Sequence, residues 1–135
     1  MATIRMEDIV KGEHGSTYSI VWDGWRGYVT FRRDGTGYLW TTDPRNGYGV
    51  RVSLLHDPQD NVDGQTGPGY QGVNSDLKHR VVFWVDFGKT SSNLQDDQRF
   101  DGYFFTQSLD GMAGVTWWNG IPFGFYARFE GNVIG

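Results

Sequence analysis

The chain contains no cysteine, which at once excludes a disulfide framework, a thiolate metal site and a cysteine nucleophile. The fold has to hold by packing alone. Histidine is nearly as scarce. His14, His56 and His79 are scattered, with no His-x-His or His-x-x-x-His and no companion acid at ligand spacing, so no metal or other cofactor is expected. Long hydrophobic runs are missing too. Nothing approaches the roughly eighteen apolar residues of a membrane helix, and the opening MATIRMEDIVKGEH lacks the apolar stretch of a secretory signal. The expectation is a cytoplasmic protein with no membrane partner; a secreted chain with its signal removed would begin the same way. Basic clusters are also absent. The net charge is −4, the pI is near 5.2, and no cluster exceeds the pair Arg32-Arg33, so nucleic acid is not expected as a partner. Finally, there is no Gly-x-Ser-x-Gly elbow and no phosphate-binding loop.

What the sequence does hold is aromatic residues, 16% of 135, and 20 glycines. That combination favours short strands joined by tight turns. Periodicity is two nearly throughout, and eight strands are predicted: 17–23, 26–33, 36–43, 48–55, 79–87, 98–107, 112–119 and 123–130. Asp34-Gly35, Asp110-Gly111 and Asn119-Gly120 read as two-residue hairpin turns, because both central positions can take positive φ. The segment 1–15 holds one short helix-compatible piece, MEDIVKG, too brief to stand alone in water and suited to plugging an opening or covering an edge. Long polar loops are expected over 56–78 and 88–97, where function often resides. No repeat or linker implies a second domain, so 1–135 is read as one.

Side chains two apart share a face of a strand. One face collects Val29, Phe31, Val50, Val52, Leu54, Val81, Phe83, Val85, Phe87, Phe100, Phe104, Phe123, Phe125, Ala127 and Phe129. The other collects Arg26, Tyr28, Thr30, Arg32, Arg51, Arg80, Val82, Trp84, Asp86, Asp101, Tyr103, Phe105, Tyr126, Arg128 and Glu130. Eight of nine phenylalanines fall on the first face. Phenylalanine has no polar tip to satisfy, so that face is the dry interior. An all-β fold follows: a single antiparallel, mostly up-and-down barrel of about eight strands with a packed interior, or, as the second choice, a two-sheet sandwich. Gly27, Gly102 and Gly114 at interior positions make room for bulky neighbours or allow strand bending.

Two sets of candidate binding residues emerge. Trp84 with Asp86, Tyr103 and Phe105 form an outer aromatic patch suited to ligand stacking or to a homodimer. Trp25, Trp40, Trp117, Trp118 and Asn119 lie near strand ends, where they either recognise a ligand or cap the barrel against water. Trp117 and Trp118 are consecutive, so one points in and the other out. Arg128 adds a directed hydrogen-bond donor. Asp86 and Asp101 could make a carboxylate pair, although pairing with arginines is the plainer explanation. The acidic loop 57–67 is superficially like a calcium loop, but Gln59 and Tyr70 stand where the first and last acidic ligands belong.

Two segments, WDGWRGYVTFRRDGTGYL and GMAGVTWWNGIPFGFYARF, resemble small β-barrels of two kinds. Trp22, Gly27, Gly35 and Gly37 are similar to the opening hairpin of the calycin group, which includes avidins and lipocalins. Gly24 and Tyr28 stand where biotin-contacting Asn and Ser would align, so biotin binding does not carry over. Gly120 to Phe125 resemble a strand of bacterial high-mannose-binding barrel lectins; the internal duplication and sugar loop of those lectins are absent. Both resemblances imply a barrel, and the second implies a carbohydrate ligand.

The resulting expectation is a non-enzymatic module that binds a carbohydrate or small polar ligand through Trp25, Trp40, Trp84, Trp117 and Trp118, with Asp86, Asn119 and Arg128 supplying hydrogen bonds. A lipocalin-like enzyme acting on an apolar small molecule (a cyclase, isomerase or decarboxylase) is the alternative, and an assembly subunit the third.

Overall fold

Alternation of apolar and polar residues becomes eight strands in the computed structural model, which is described over residues 4–42, 45–54, 80–87 and 97–134. These are β1 (Ser16–Trp22), β2 (Trp25–Phe31), β3 (Thr36–Thr41), β4 (Gly47–Ser53), β5 (Arg80–Asp86), β6 (Gln98–Phe104), β7 (Gly111–Trp118) and β8 (Ile121–Asn132). Each pairs antiparallel with its sequence neighbour, and β1 pairs with β8 to close the barrel. The sandwich alternative is thereby set aside. Except for Asp97, the loops expected at 56–78 and 88–97 lie outside the described residues, as do the acidic loop 57–67, His56 and His79.

The inward face is the one that alternation marked. Val29, Phe31, Val50, Val81, Phe83, Val85, Phe100, Phe104, Phe125 and Ala127 are all buried, with Val52, Leu54, Phe87 and Phe129 packed against them. Their rings form a continuous column. Phe31 meets Phe83 at 5.3 Å, Phe83 stacks on Phe100 at 4.9 Å, and Phe125 stands edge-on to both. Gly102 faces Gly114 across β6 and β7, and Gly114 faces Phe125 on β8. A Cβ at Gly102 would come within 2.7 Å of the Phe125 ring, and one at Gly114 would meet the Asp101 carbonyl oxygen. Gly102 therefore opens the slot that Phe125 fills, and Gly114 lets the β6 and β7 backbones approach closely.

Three readings of the faces need correction. Phe123 is half-buried and stands outside the core cluster, because it lies only two residues into β8, at the edge of the wall. Tyrosine is not confined to the outside: Tyr18 is fully buried and Tyr48 packs on the core. The Tyr18 hydroxyl donates to the carbonyls of Ile9 and Leu109 at 3.0 and 3.1 Å, so its polar tip is satisfied indoors. Burial, helped by the Asp110 carboxylate, pushes the Tyr18 phenol well above its usual value, and the group stays a neutral donor. The outer face over β5 and β6 is also not a solvated wall. Arg80, Val82, Trp84 and Asp101 are buried there, together with Arg99.

The single helical turn α1 (Met6–Ile9) closes one end of the barrel with Ile4, Ile9 and Val10, all buried. Arg33 Nε donates to the Val10 carbonyl at 3.3 Å, and Lys11 Nζ donates to the Ser108 carbonyl at 2.8 Å. These bonds pin the plug to two neighbouring turns. No helix among the described residues is long and apolar enough to cross a membrane.

Candidate functional site

Opposite the plug, the described residues of the barrel end in a mouth, and its lining follows from strand parity. Trp22 is the last inward residue of β1, and Trp25, its partner across the turn, is the first of β2. Thr41 stands two positions beyond buried Leu39 on β3, and Tyr48 two before buried Val50 on β4. Phe87 lies two beyond Val85, Gln98 two before Phe100, and Trp118 two beyond buried Thr116. Together with Asp23, these residues line a hollow of about 280 Å³. Ligand sites usually span about 300–1,000 Å³, so this one suits a small ligand or one end of a larger one.

The floor and one wall are aromatic. Trp22 rests edge-on over Phe100 at 5.6 Å, and Phe87 contacts both Trp22 at 6.1 Å and Tyr48 at 4.7 Å. Trp25 and Trp118 stand at the rim, 46% and 41% exposed. Two tight turns hold the rim low. Asp23 and Gly24 have φ of 43° and 78°, and Asn119 and Gly120 have 52° and 78°, the mirror-type turn that matches strand twist. Polar groups in the lining are anchored from behind. Gln98 Nε2 donates to Thr116 Oγ1 at 2.8 Å, and Thr116 Oγ1 donates to the Arg99 carbonyl at 2.8 Å. Thr41 Oγ1 accepts from the Asn46 amide at 3.2 Å.

The residues singled out in the sequence do not form one site. Trp25 and Trp118 meet at the mouth, and Asn119 sits in the exposed turn beside Trp118. Trp117 points the other way, with the Arg99 guanidinium 5.9 Å from its ring. Trp40 lies on the outer wall, in contact with Tyr28 and Tyr38, beside a shallow groove also lined by Arg45, Asn46 and Gly47. Trp84 is only 9% exposed and lies beneath the Arg51 guanidinium at 5.3 Å, which removes it as an open stacking platform. Asp86 is exposed at the end of β5, and Arg128 is exposed on the outer face of β8.

Asp101 takes the arginine partners expected of it. Arg80 donates to Asp101 through Nε at 3.1 Å and Nη2 at 2.6 Å, and Arg99 Nη2 donates at 2.9 Å. Trp22, Asp23, Thr41, Tyr48, Phe87 and Gln98 were not read as site residues. The available signal was the inward parity carried one step further at the same end of each strand. Among the described residues, no group of three or more His, Asp and Glu side chains could hold a metal ion.

Fold and mouth together define a closed, eight-stranded up-and-down barrel with a filled interior and an aromatic cup at one end. Compared with known proteins, the chain matches no family model, no curated protein and no solved structure.

Proposed function

We propose that this protein is a non-enzymatic binding module that takes a small polar ligand, with carbohydrates in the candidate class, into the aromatic mouth of its barrel. The observation that carries this reading is the convergence of Trp22, Trp25, Tyr48, Phe87 and Trp118 on one hollow over a filled core. Flat rings offer large contact area at little entropic cost, and anchored polar groups fix orientation. The aromatic column below leaves the lumen solid, which favours binding over the enzyme alternative.

Tryptophan fluorescence titration against a glycan panel and small polar compounds tests the proposal. A ligand should change the emission, and Trp25→Ala or Trp118→Ala should each weaken it by about 1 kcal/mol or more. Trp40→Ala and Arg128→Ala, which lie on the outer wall, should leave affinity unchanged. Failure of every compound to perturb the emission would remove the reading.

A homodimer contact is the second reading, and the observation favouring it is not at Trp84. Phe105 and Tyr126 are 53% and 43% exposed and stack at 6.1 Å, with exposed Val21 paired to Tyr126. That makes an apolar patch on the wall of the kind used in subunit contacts.

A further inference from the structure

The chemistry of the cup points to a narrower ligand class, an inference that rests on the binding reading above. Five of the eight described residues that line it are aromatic: Trp22, Trp25, Tyr48, Phe87 and Trp118. Asp23 is the only charged residue among the described residues lining the hollow, and it carries a carboxylate. No Lys, Arg or His is among those described lining residues; Arg26 borders the neighbouring groove outside the β1–β2 turn.

Aromatic faces are electron-rich. Several rings around a small space, with a carboxylate at the rim, form a cage that attracts an organic cation. A sugar makes different demands, because each hydroxyl it buries needs a donor or acceptor. Here Gln98 already spends a donor on Thr116 and Thr41 already accepts from Asn46. A methylated ammonium asks for none of this, since its charge is spread over methyl groups that touch ring faces directly. The protein's net charge of −4 would further favour approach of a cation.

We infer that the barrel mouth is a receptor for a methylated ammonium group carried by a small molecule, held by cation–π contact with the five rings and by the Asp23 carboxylate. Trp25 and Trp118 at the rim close around the cation, while Trp22, Phe87 and Tyr48 form its floor.

Choline, tetramethylammonium and 3,3-dimethylbutan-1-ol, the carbon isostere of choline, can be titrated at constant ionic strength by calorimetry and tryptophan fluorescence, beside a panel of neutral sugars. Choline should bind at least about tenfold tighter than its isostere, a ratio worth about 1.4 kcal/mol. Asp23→Asn keeps the turn, since Asn tolerates positive φ, and should lower choline affinity while leaving the isostere unchanged. Trp118→Leu, which keeps apolar bulk and removes the π face, should do the same. Equal binding of choline and isostere overturns the cation inference and leaves the cup as a binding site. Sugar binding without choline binding also overturns it and supports the carbohydrate class. If no probe of either kind binds, the inference and the underlying reading fall together.

Discussion

Asp101 illustrates how one residue can be read correctly for its partner and wrongly for its surroundings. Its carboxylate accepts from Arg80 and Arg99 on the outer side of β5 and β6, yet all three side chains are buried. Removing one member of a buried charge cluster is costly because it leaves the others out of water without their compensating charge. Asp101→Asn keeps the shape of the side chain and removes its charge, leaving two guanidinium groups facing a neutral amide. We expect a loss of about 3–5 kcal/mol in stability, measured by urea unfolding. A change within about 0.5 kcal/mol, the range of ordinary surface substitutions, would show that the cluster is not the brace its geometry describes.

At the scale of elements, turn chemistry separates the two ends of the barrel. The Asp-Gly pairs read as two-residue hairpins at 34–35 and 110–111 belong to longer connections. Gly35 alone takes positive φ, 88°, in the first, and Leu109 takes 56° in the second. Arg32 N instead bonds the Thr36 carbonyl at 2.8 Å and Gly35 N bonds the Arg32 carbonyl at 3.0 Å, so four residues make the β2–β3 bend. Asp34 braces it by accepting from the Thr36 amide at 2.9 Å and hydroxyl at 2.6 Å. These bonds from Thr36 hold the Asp34 carboxyl below its usual value. Bonds from Thr106 and Ser108 likewise hold Asp110 low.

The sign of the pH effect follows from linkage. A carboxylate with a depressed folded value contributes stability above its unfolded value and loses it as pH falls through the folded one. The urea midpoint should therefore drop as pH is lowered from about 5 to about 2. Thr36→Val removes the hydroxyl donor to Asp34 and should make that acid limb shallower than in the unchanged protein. Identical limbs would mean that Asp34 gains nothing from its bond to the hydroxyl.

Considered as a whole, the described sheet closes from β1 to β8 and presents no open edge. Among the described residues strand addition has no edge to use, so a contact between copies there would run through a wall. The Phe105–Tyr126 patch is the exposed aromatic surface proposed for that contact. Sedimentation at micromolar to millimolar concentration should show a dimer that Phe105→Ser weakens by about tenfold or more. A monomer at every concentration would end the homodimer reading and leave the mouth proposal untouched.

Much of the barrel was legible because a two-residue period is a local property. Phe83, Phe100, Phe104 and Phe125 could be placed indoors from their neighbours alone, as could the interior role of Gly102. Tyr18 escaped this logic because its hydroxyl is satisfied by Ile9 and Leu109, partners nine and 91 residues away in sequence. The candidate site was legible only in part. Trp25 and Trp118 reach the mouth, but Trp40, Trp117 and Trp84 carry the same ring chemistry to other places.

By itself, the order of amino acids determined the strands, their inward faces and the filling of the middle, since each depends on alternation within a few residues. Only the closed tertiary structure decided which strand ends meet. Closure brought Trp22, Trp25, Tyr48, Phe87 and Trp118 from five segments to one mouth, while Arg51 came to lie over Trp84 on the outer wall. A cup is a relation among distant residues, set by register around the whole wall, and no short stretch of chain contains it.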